Sequence, residues 1–149
     1  MGRSEHAVEI EASAARIFPY LVEHEKRLRW MGALVESEPL TDWPPGIGTR
    51  FRDVFETHGR RIELDAEVAA YEPGRRLQVR LSTRGFDATS TQELEETDGR
   101  TRLTSVLETQ ARSLAARLGA GVVDRGAQAQ LESDLARLKA LVEDETADA

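Results

Sequence analysis

The stretch SLAARLGAGVVDRGAQAQLESDLARLKALVE, residues 113–143, decides the fold. Within it Leu131, Leu135, Leu138 and Val142 recur at helical spacing and make one apolar stripe. The spacing predicts a single long amphipathic helix from Ser113 to Glu143, placed after an unbroken series of short strands. One helix covers only part of a long antiparallel sheet. The expected geometry is therefore a curved sheet gripping that helix and leaving a cavity.

Upstream of the helix the period is two from Thr49 onward. Phe51, Asp53 and Phe55 share one face, against Arg50, Arg52 and Glu56. Ile62, Leu64, Ala66 and Val68 then oppose Glu63, Asp65 and Glu67, a half-buried pattern. Leu77, Val79 and Leu81 oppose Arg76, Gln78 and Arg80. Strands near Phe86 to Glu96 and Thr101 to Glu108 are joined by Asp98-Gly99, a preferred hairpin pair. Turns are marked by His58-Gly59 and by Glu72-Pro73-Gly74. These links are too short for parallel crossovers, so the strands form an antiparallel meander whose Arg- and Glu-rich face meets water.

Before the meander, His6 to Ile10 reads as a short strand. Ser13 is a candidate N-cap for a helix carrying Ile17, Phe18 and Leu21, short or bent because of Pro19. A second short helix spans Glu23 to Trp30 and stops at Gly32, followed by a strand over Leu34 to Glu38. Asp42 to Gly48 is a loop. The fold class is α+β in one domain over residues 1–149, with residues 144–149 an acidic, flexible tail.

Composition limits the function classes. The chain has 149 residues, 20 basic and 27 acidic, for a net charge of −7, which disfavours a phosphate-binding nucleic-acid partner. It has no cysteine, so disulfides, thiol nucleophiles and thiolate metal sites are absent. No metal-ligand spacing or phosphate-binding glycine loop is present, and no cofactor is expected. The N-terminal residues lack a signal-peptide core, and no apolar run reaches the roughly 20 residues of a membrane span. A cytoplasmic protein without stable membrane insertion is the expectation.

This order of elements resembles the Bet v 1-like, or START-like (SRPBCC), helix-grip superfamily, and within it the small polyketide cyclase/dehydrase-like proteins. The residues that carry the resemblance span nearly the whole chain. They are Ala12 to Phe18, Leu28 to Trp30, Gly46 to Phe51, Glu67-Val68 with Tyr71 to Leu77, Thr101 to Thr104 and Leu135 to Glu143. The resemblance implies a helix-grip fold of about seven strands, two short helices and a long C-terminal helix enclosing a pocket. It does not imply one activity, because lipid carriers, hormone receptors and cyclases share that fold.

The strand pattern places Phe51, Asp53, Phe55, Leu64, Ala66, Val79, Leu81, Ser90, Gln92, Leu94, Leu103, Ser105 and Leu107 on the concave face. They either line a site of roughly 300–1,000 Å³ or pack solidly against the helix. Trp30 either joins them or packs in the core. At about 100° per residue, Asp124 falls in line with the apolar stripe, with Gln128 beside it. Asp124 is then either a buried carboxylate marking a site or a solvated group at the cavity mouth. Leu114, Leu118 and Val122 lie on a rotated line. Gly119 and Gly121, each costing about 1 kcal/mol relative to Ala in a helix, predict a kink or break there. Such a bend would either gate the pocket or permit close packing.

Asp53 is the only acid on the predicted concave strand face. His6, His24 and His58 fall at positions typical of surface histidines. Three functions follow. The first is binding or transport of a small hydrophobic or aromatic ligand. The second is a cyclase/aromatase-like enzyme using Asp53 and Asp124, with Gln92 and Gln128, for proton transfer. The third is an interaction module, a homodimer included, with Val123 and Leu141 off the main stripe as its surface.

Overall fold

The computed structural model describes residues 2–42, 45–57, 59–83, 85–112 and 114–147, the last segment with side chains from 126 to 145. His58, Ser113, Asp148 and Ala149 fall outside the described residues. Seven strands form one antiparallel sheet: β1 (Gly2–Ile10), β2 (Leu34–Pro39), β3 (Arg50–Thr57), β4 (Arg60–Glu72), β5 (Arg76–Thr83), β6 (Phe86–Thr97) and β7 (Arg100–Ala111). Their spatial order is β1-β7-β6-β5-β4-β3-β2. The meander thus runs from β2 to β7, and β1 closes the far edge by pairing with β7. β1 begins at Gly2, four residues before the predicted start.

The cross-strand pairing follows the period-two reading. Directly paired residues share a face, and the register aligns Phe51 with Ala66 and Leu81, and Val79 with Ser90 and Leu107. Asp98 and Gly99 both take positive φ (51° and 79°), which the two-residue turn between β6 and β7 requires. The outer face carries exposed ion pairs such as Arg102–Glu9 (3.2 Å) and Arg76–Glu93 (3.6 Å).

Two short helices, α1 (Ala14–Val22) and α2 (His24–Trp30), connect the two edge strands β1 and β2. The Ser13 hydroxyl accepts from the Arg16 amide (3.3 Å), and the Glu96 carboxylate accepts from the Ala14 amide (2.7 Å). Two of the four orphan donors of α1 are satisfied in this way. Pro19 sits inside α1, and the helix ends three residues later, where the Glu23 amide donates to the Pro19 carbonyl (2.9 Å).

The third helix, α3 (Leu114–Ala147), is continuous. Of the kink or break expected at Gly119 and Gly121, the break does not occur: the 34-residue helix runs through both positions in the helical state. It also continues beyond Glu143, so residues 144–147 are helical rather than part of a tail. Glu145 accepts a hydrogen bond from the Tyr20 hydroxyl, which holds the end of α3 against α1. Leu135, Leu138 and Val142 are at most 2% exposed, and each such burial contributes about 1.5–3 kcal/mol. They join Ile10, Ile17, Phe18, Leu21, Leu94 and Leu103 in one core. Leu141 packs partly against that core, so it is not a free surface residue. No helix among the described residues is long and apolar enough to cross a membrane.

α3 also seals a sheet edge. Gln128 accepts from the Glu5 amide and donates to the Glu5 carbonyl, both at 3.1 Å. Lys139 donates to the Glu9 carbonyl (2.6 Å), and Glu143 accepts from the Glu11 amide (2.9 Å). The helix therefore runs alongside β1 and satisfies backbone groups that an edge strand would otherwise expose.

Candidate functional site

Because α3 lies over the β1–β7 side of the sheet, that part of the concave face is filled by core packing. The remaining space lies under α2, over β3 to β6. It is a cavity of about 80 Å³ with mostly apolar walls, among them Leu21, Trp30, Phe51, Val68, Leu77 and Val79.

Of the residues expected to form the site, Trp30, Phe51, Asp53, Phe55, Val79, Leu81, Ser90 and Gln92 line this cavity. Leu103 and Ser105 on β7 are 0% and 1% exposed and lie in the part of the face that α3 fills. Ala66 is buried and Leu64 half-buried, and neither reaches the cavity. Gln128 is occupied with the backbone of β1, away from the cavity walls. The side chains of Leu118, Val123 and Asp124 lie outside the described residues, so the Asp124 half of the expected acid–base pair has no geometry here.

One end of the cavity is polar, and α2 supplies most of it. His24, Arg27 and Trp30 are three residues apart and share one helical face. The Trp30 indole donates to the Tyr20 carbonyl (2.8 Å), which fixes this face against α1. Arg27 is 8% exposed and forks onto Asp53, with Nη1 3.0 Å from Oδ1 and Nη2 2.6 Å from Oδ2. The Ser37 hydroxyl, directly opposite Asp53 across β2 and β3, donates to Oδ1 (2.8 Å). It also meets Arg27 Nη1 (2.9 Å) and His24 Nδ1 (2.6 Å). Phe51 braces the cluster: the His24 ring meets it edge-on at 5.6 Å, and the guanidinium carbon lies 5.1 Å from its centroid.

Both Asp53 oxygens are thus occupied by Arg27 and Ser37. An ion pair out of water persists when its geometry is good and its remaining hydrogen-bonding capacity is satisfied, as it is here. Burial pushes the His24 imidazole below its ordinary pKa; the Arg27 charge adds to that, and the Asp53 charge opposes it. His24 is accordingly a neutral imidazole near pH 7. Gln92 lies on the wall with its Nε2 donating to Ser90 Oγ (3.4 Å). Its Oε1 is buried without a hydrogen-bond partner among the described residues.

Reading His24 as a surface histidine is therefore corrected: it belongs to the cavity wall. Arg27 carried no expectation. The signal for both was their spacing of three and six residues from Trp30, which places them on whichever face of α2 that large aromatic buries. Among the described residues no cluster of His, Asp and Glu is arranged to hold a metal ion.

No curated protein matches the chain by sequence. Solved structures match it closely in shape. A START superfamily protein from Mycobacterium smegmatis aligns over 97% of this chain and 99% of its own, with a TM-score of 0.79 at 17% identity. TTHA0849 from Thermus thermophilus aligns over 94% and 96%, with a TM-score of 0.78 at 18% identity. The di-domain ARO/CYC protein BexL of the BE-7585A biosynthetic pathway aligns with 96% of this chain and 47% of its own, with a TM-score of 0.75 at 19% identity. These likenesses establish the helix-grip fold. A family model described as polyketide cyclase / dehydrase and lipid transport matches residues 1–143. Together with the sheet, the gripping helix and the cavity beneath α2, that match shows that the chain belongs to the polyketide cyclase / dehydrase and lipid transport family.

Proposed function

We propose that the protein binds a compact, largely apolar molecule in the cavity between α2 and strands β3 to β6. The observation that carries this reading is the contrast within the cavity, where apolar walls surround one polar end formed by His24, Arg27 and Asp53, with the Arg27–Asp53 pair held by Ser37 behind it. Apolar surface supplies affinity, and a few fixed polar groups supply orientation. At about 80 Å³, well below the roughly 300–1,000 Å³ of drug-sized sites, the cavity suits a small ring system better than a long acyl chain. The test is titration of delipidated protein with a fluorescent naphthalene probe, beside the cavity-filling variant Val79→Phe. Saturable binding by the wild type, lost in a variant that keeps its circular dichroism spectrum, supports the reading. No binding, or binding indifferent to the substitution, overturns it.

A second reading is cyclase-like proton transfer, favoured by one observation: the His24 imidazole stands on the cavity wall beside the fixed Arg27–Asp53 pair. In this reading His24 exchanges the proton, and Asp53, with both oxygens held, positions it through Ser37. This arrangement uses His24 in the place the expected pair gave to Asp124, whose side chain lies outside the described residues. Retention of turnover by His24→Asn on any accepted polyketone substrate would remove it.

A further inference from the structure

The cavity beneath α2 is smaller than the ligands its walls suit. At about 80 Å³ it falls short of the roughly 150 Å³ that accommodates a benzene ring, so a ring-sized occupant requires part of the wall to yield. The strands resist this, because β3 to β6 each lie between two hydrogen-bonded neighbours. The N-terminal half of α2 is pinned by the Arg27 fork onto Asp53, and Trp30 by its indole on the Tyr20 carbonyl. The turn before β3 is tied through Thr49, whose hydroxyl accepts from the Gly46 amide (2.8 Å). The corner after α2 is placed differently: Met31 is half-buried on the cavity wall, and Gly32 beside it is exposed.

α3 holds this corner through Gln130, Asp134 and Arg137, which share one helical face. Asp134 Oδ1 accepts from the Gly32 amide (3.0 Å), and Arg137 Nη1 donates to the Trp30 carbonyl (3.1 Å), an orphan acceptor at the end of α2. Gln130 Nε2 donates to the same Asp134 oxygen (2.7 Å), and Arg137 Nη1 stands 3.8 Å from it. A Cβ at position 32 would lie 2.8 Å from Arg137 Nη1, 3.1 Å from Gln130 Nε2 and 3.3 Å from Asp134 Oδ1. Gly32 is outside the left-handed region, so the close approach of these three groups, not the backbone, is what calls for glycine.

We propose that Gln130, Asp134 and Arg137 form a latch on the Trp30–Gly32 corner, and that a ring-sized apolar ligand enters the cavity by releasing it, so that Met31 moves off the wall. The inference rests on the cavity-binding reading and adds the element that admits the ligand. Release at an exposed corner lets water replace the lost hydrogen bonds, whereas moving Arg27 would strand the buried Asp53 carboxylate. The corner is therefore the part of the wall that yields first.

The experiment has two independent arms. Stopped-flow fluorescence of 2-methoxynaphthalene at limiting concentration reads entry, because association scales with the fraction of protein in the open state. Gly32→Ala and Asp134→Ala disturb the latch from its two sides. Each is expected to take up the probe about 3–10-fold faster than the wild type, the range of one net hydrogen bond. Association no faster than wild type, in a variant that keeps its circular dichroism spectrum, overturns the latch while leaving cavity binding intact. Failure of the wild type and both variants to bind overturns cavity binding, and the latch with it. The second arm needs no variant: hydrogen exchange of the wild type is compared with and without saturating probe. The Gly32 amide is expected to exchange faster in the complex, while the Arg27 amide, on the pinned half of α2, does not. An unchanged or slower Gly32 amide, or equal acceleration of both, overturns the latch.

Discussion

Ser37 stands opposite Asp53 because β2 accommodates one extra residue between Leu34 and Glu36. Leu34 pairs with Phe55; continuing that register would place Val35 opposite Val54 and Glu36 opposite Asp53. The bulge shifts the pairing by one, so that Glu36 meets Val54 and a hydroxyl replaces a carboxylate beside Asp53. A one-residue shift also exchanges the faces of a strand. The bulge thus supplies the Asp53 cluster with a donor where the regular ladder would supply a like charge.

Truncating Asp53 leaves the Arg27 guanidinium buried without its counter-charge. Asp53→Ala is expected to cost about 3–5 kcal/mol in urea denaturation. The paired replacement Arg27→Met with Asp53→Leu removes both charges at similar volume and is expected to recover most of that loss. If the single and paired variants are equally unstable, the pair is not what makes the site costly to break.

The depressed pKa of His24 predicts a pH dependence with a definite sign. The folded ring holds its proton less tightly than the unfolded one, whose pKa is 6.5. The unfolded state therefore binds more protons in the interval below 6.5, and stability rises with pH across it. The contribution is fully present above pH 6.5 and is lost as pH falls through the folded pKa. His24→Asn keeps a donor toward Ser37 and should flatten this part of the stability profile. An unchanged profile would show that the slope arises elsewhere.

Much of the fold was legible because it depends on local periodicity. Phe51, Asp53 and Phe55 face the cavity as period two requires, and Leu135, Leu138 and Val142 bury as the helical stripe requires. Asp98-Gly99 specified its own turn. The site was less legible, because its parts meet through tertiary geometry. His24 and Arg27 look like ordinary charged-helix residues until Trp30 fixes the buried face of α2. The bulge at Val35 leaves no mark in a short strand that reads regularly either way. The glycines Gly119 and Gly121 lower local helix propensity, yet the helix carries on through both, as propensity alone cannot forbid.

Gln128 illustrates the same limit and can be tested locally. Its amide behaves like one residue of an additional strand, accepting from and donating to Glu5. Gln128→Ala should cost about 0.5–1.5 kcal/mol and accelerate hydrogen exchange at the Glu5 amide before other amides of β1. Uniform acceleration along β1 would indicate that the whole helix had shifted instead.

Gln92 supplies the remaining prediction, because its effects on stability and on binding can be read from one variant. Its Oε1 is buried with no hydrogen-bond partner among the described residues, a state that costs about 1–3 kcal/mol. Gln92→Leu removes that acceptor at nearly constant volume, so the unliganded protein should become more stable by about 1 kcal/mol in urea denaturation. The same change makes the cavity wall more apolar at nearly constant shape, so a fluorescent naphthalene probe should bind at least as tightly as it does to the wild type. Weaker binding by a variant that is equally or more stable would show that the Gln92 amide itself meets the occupant.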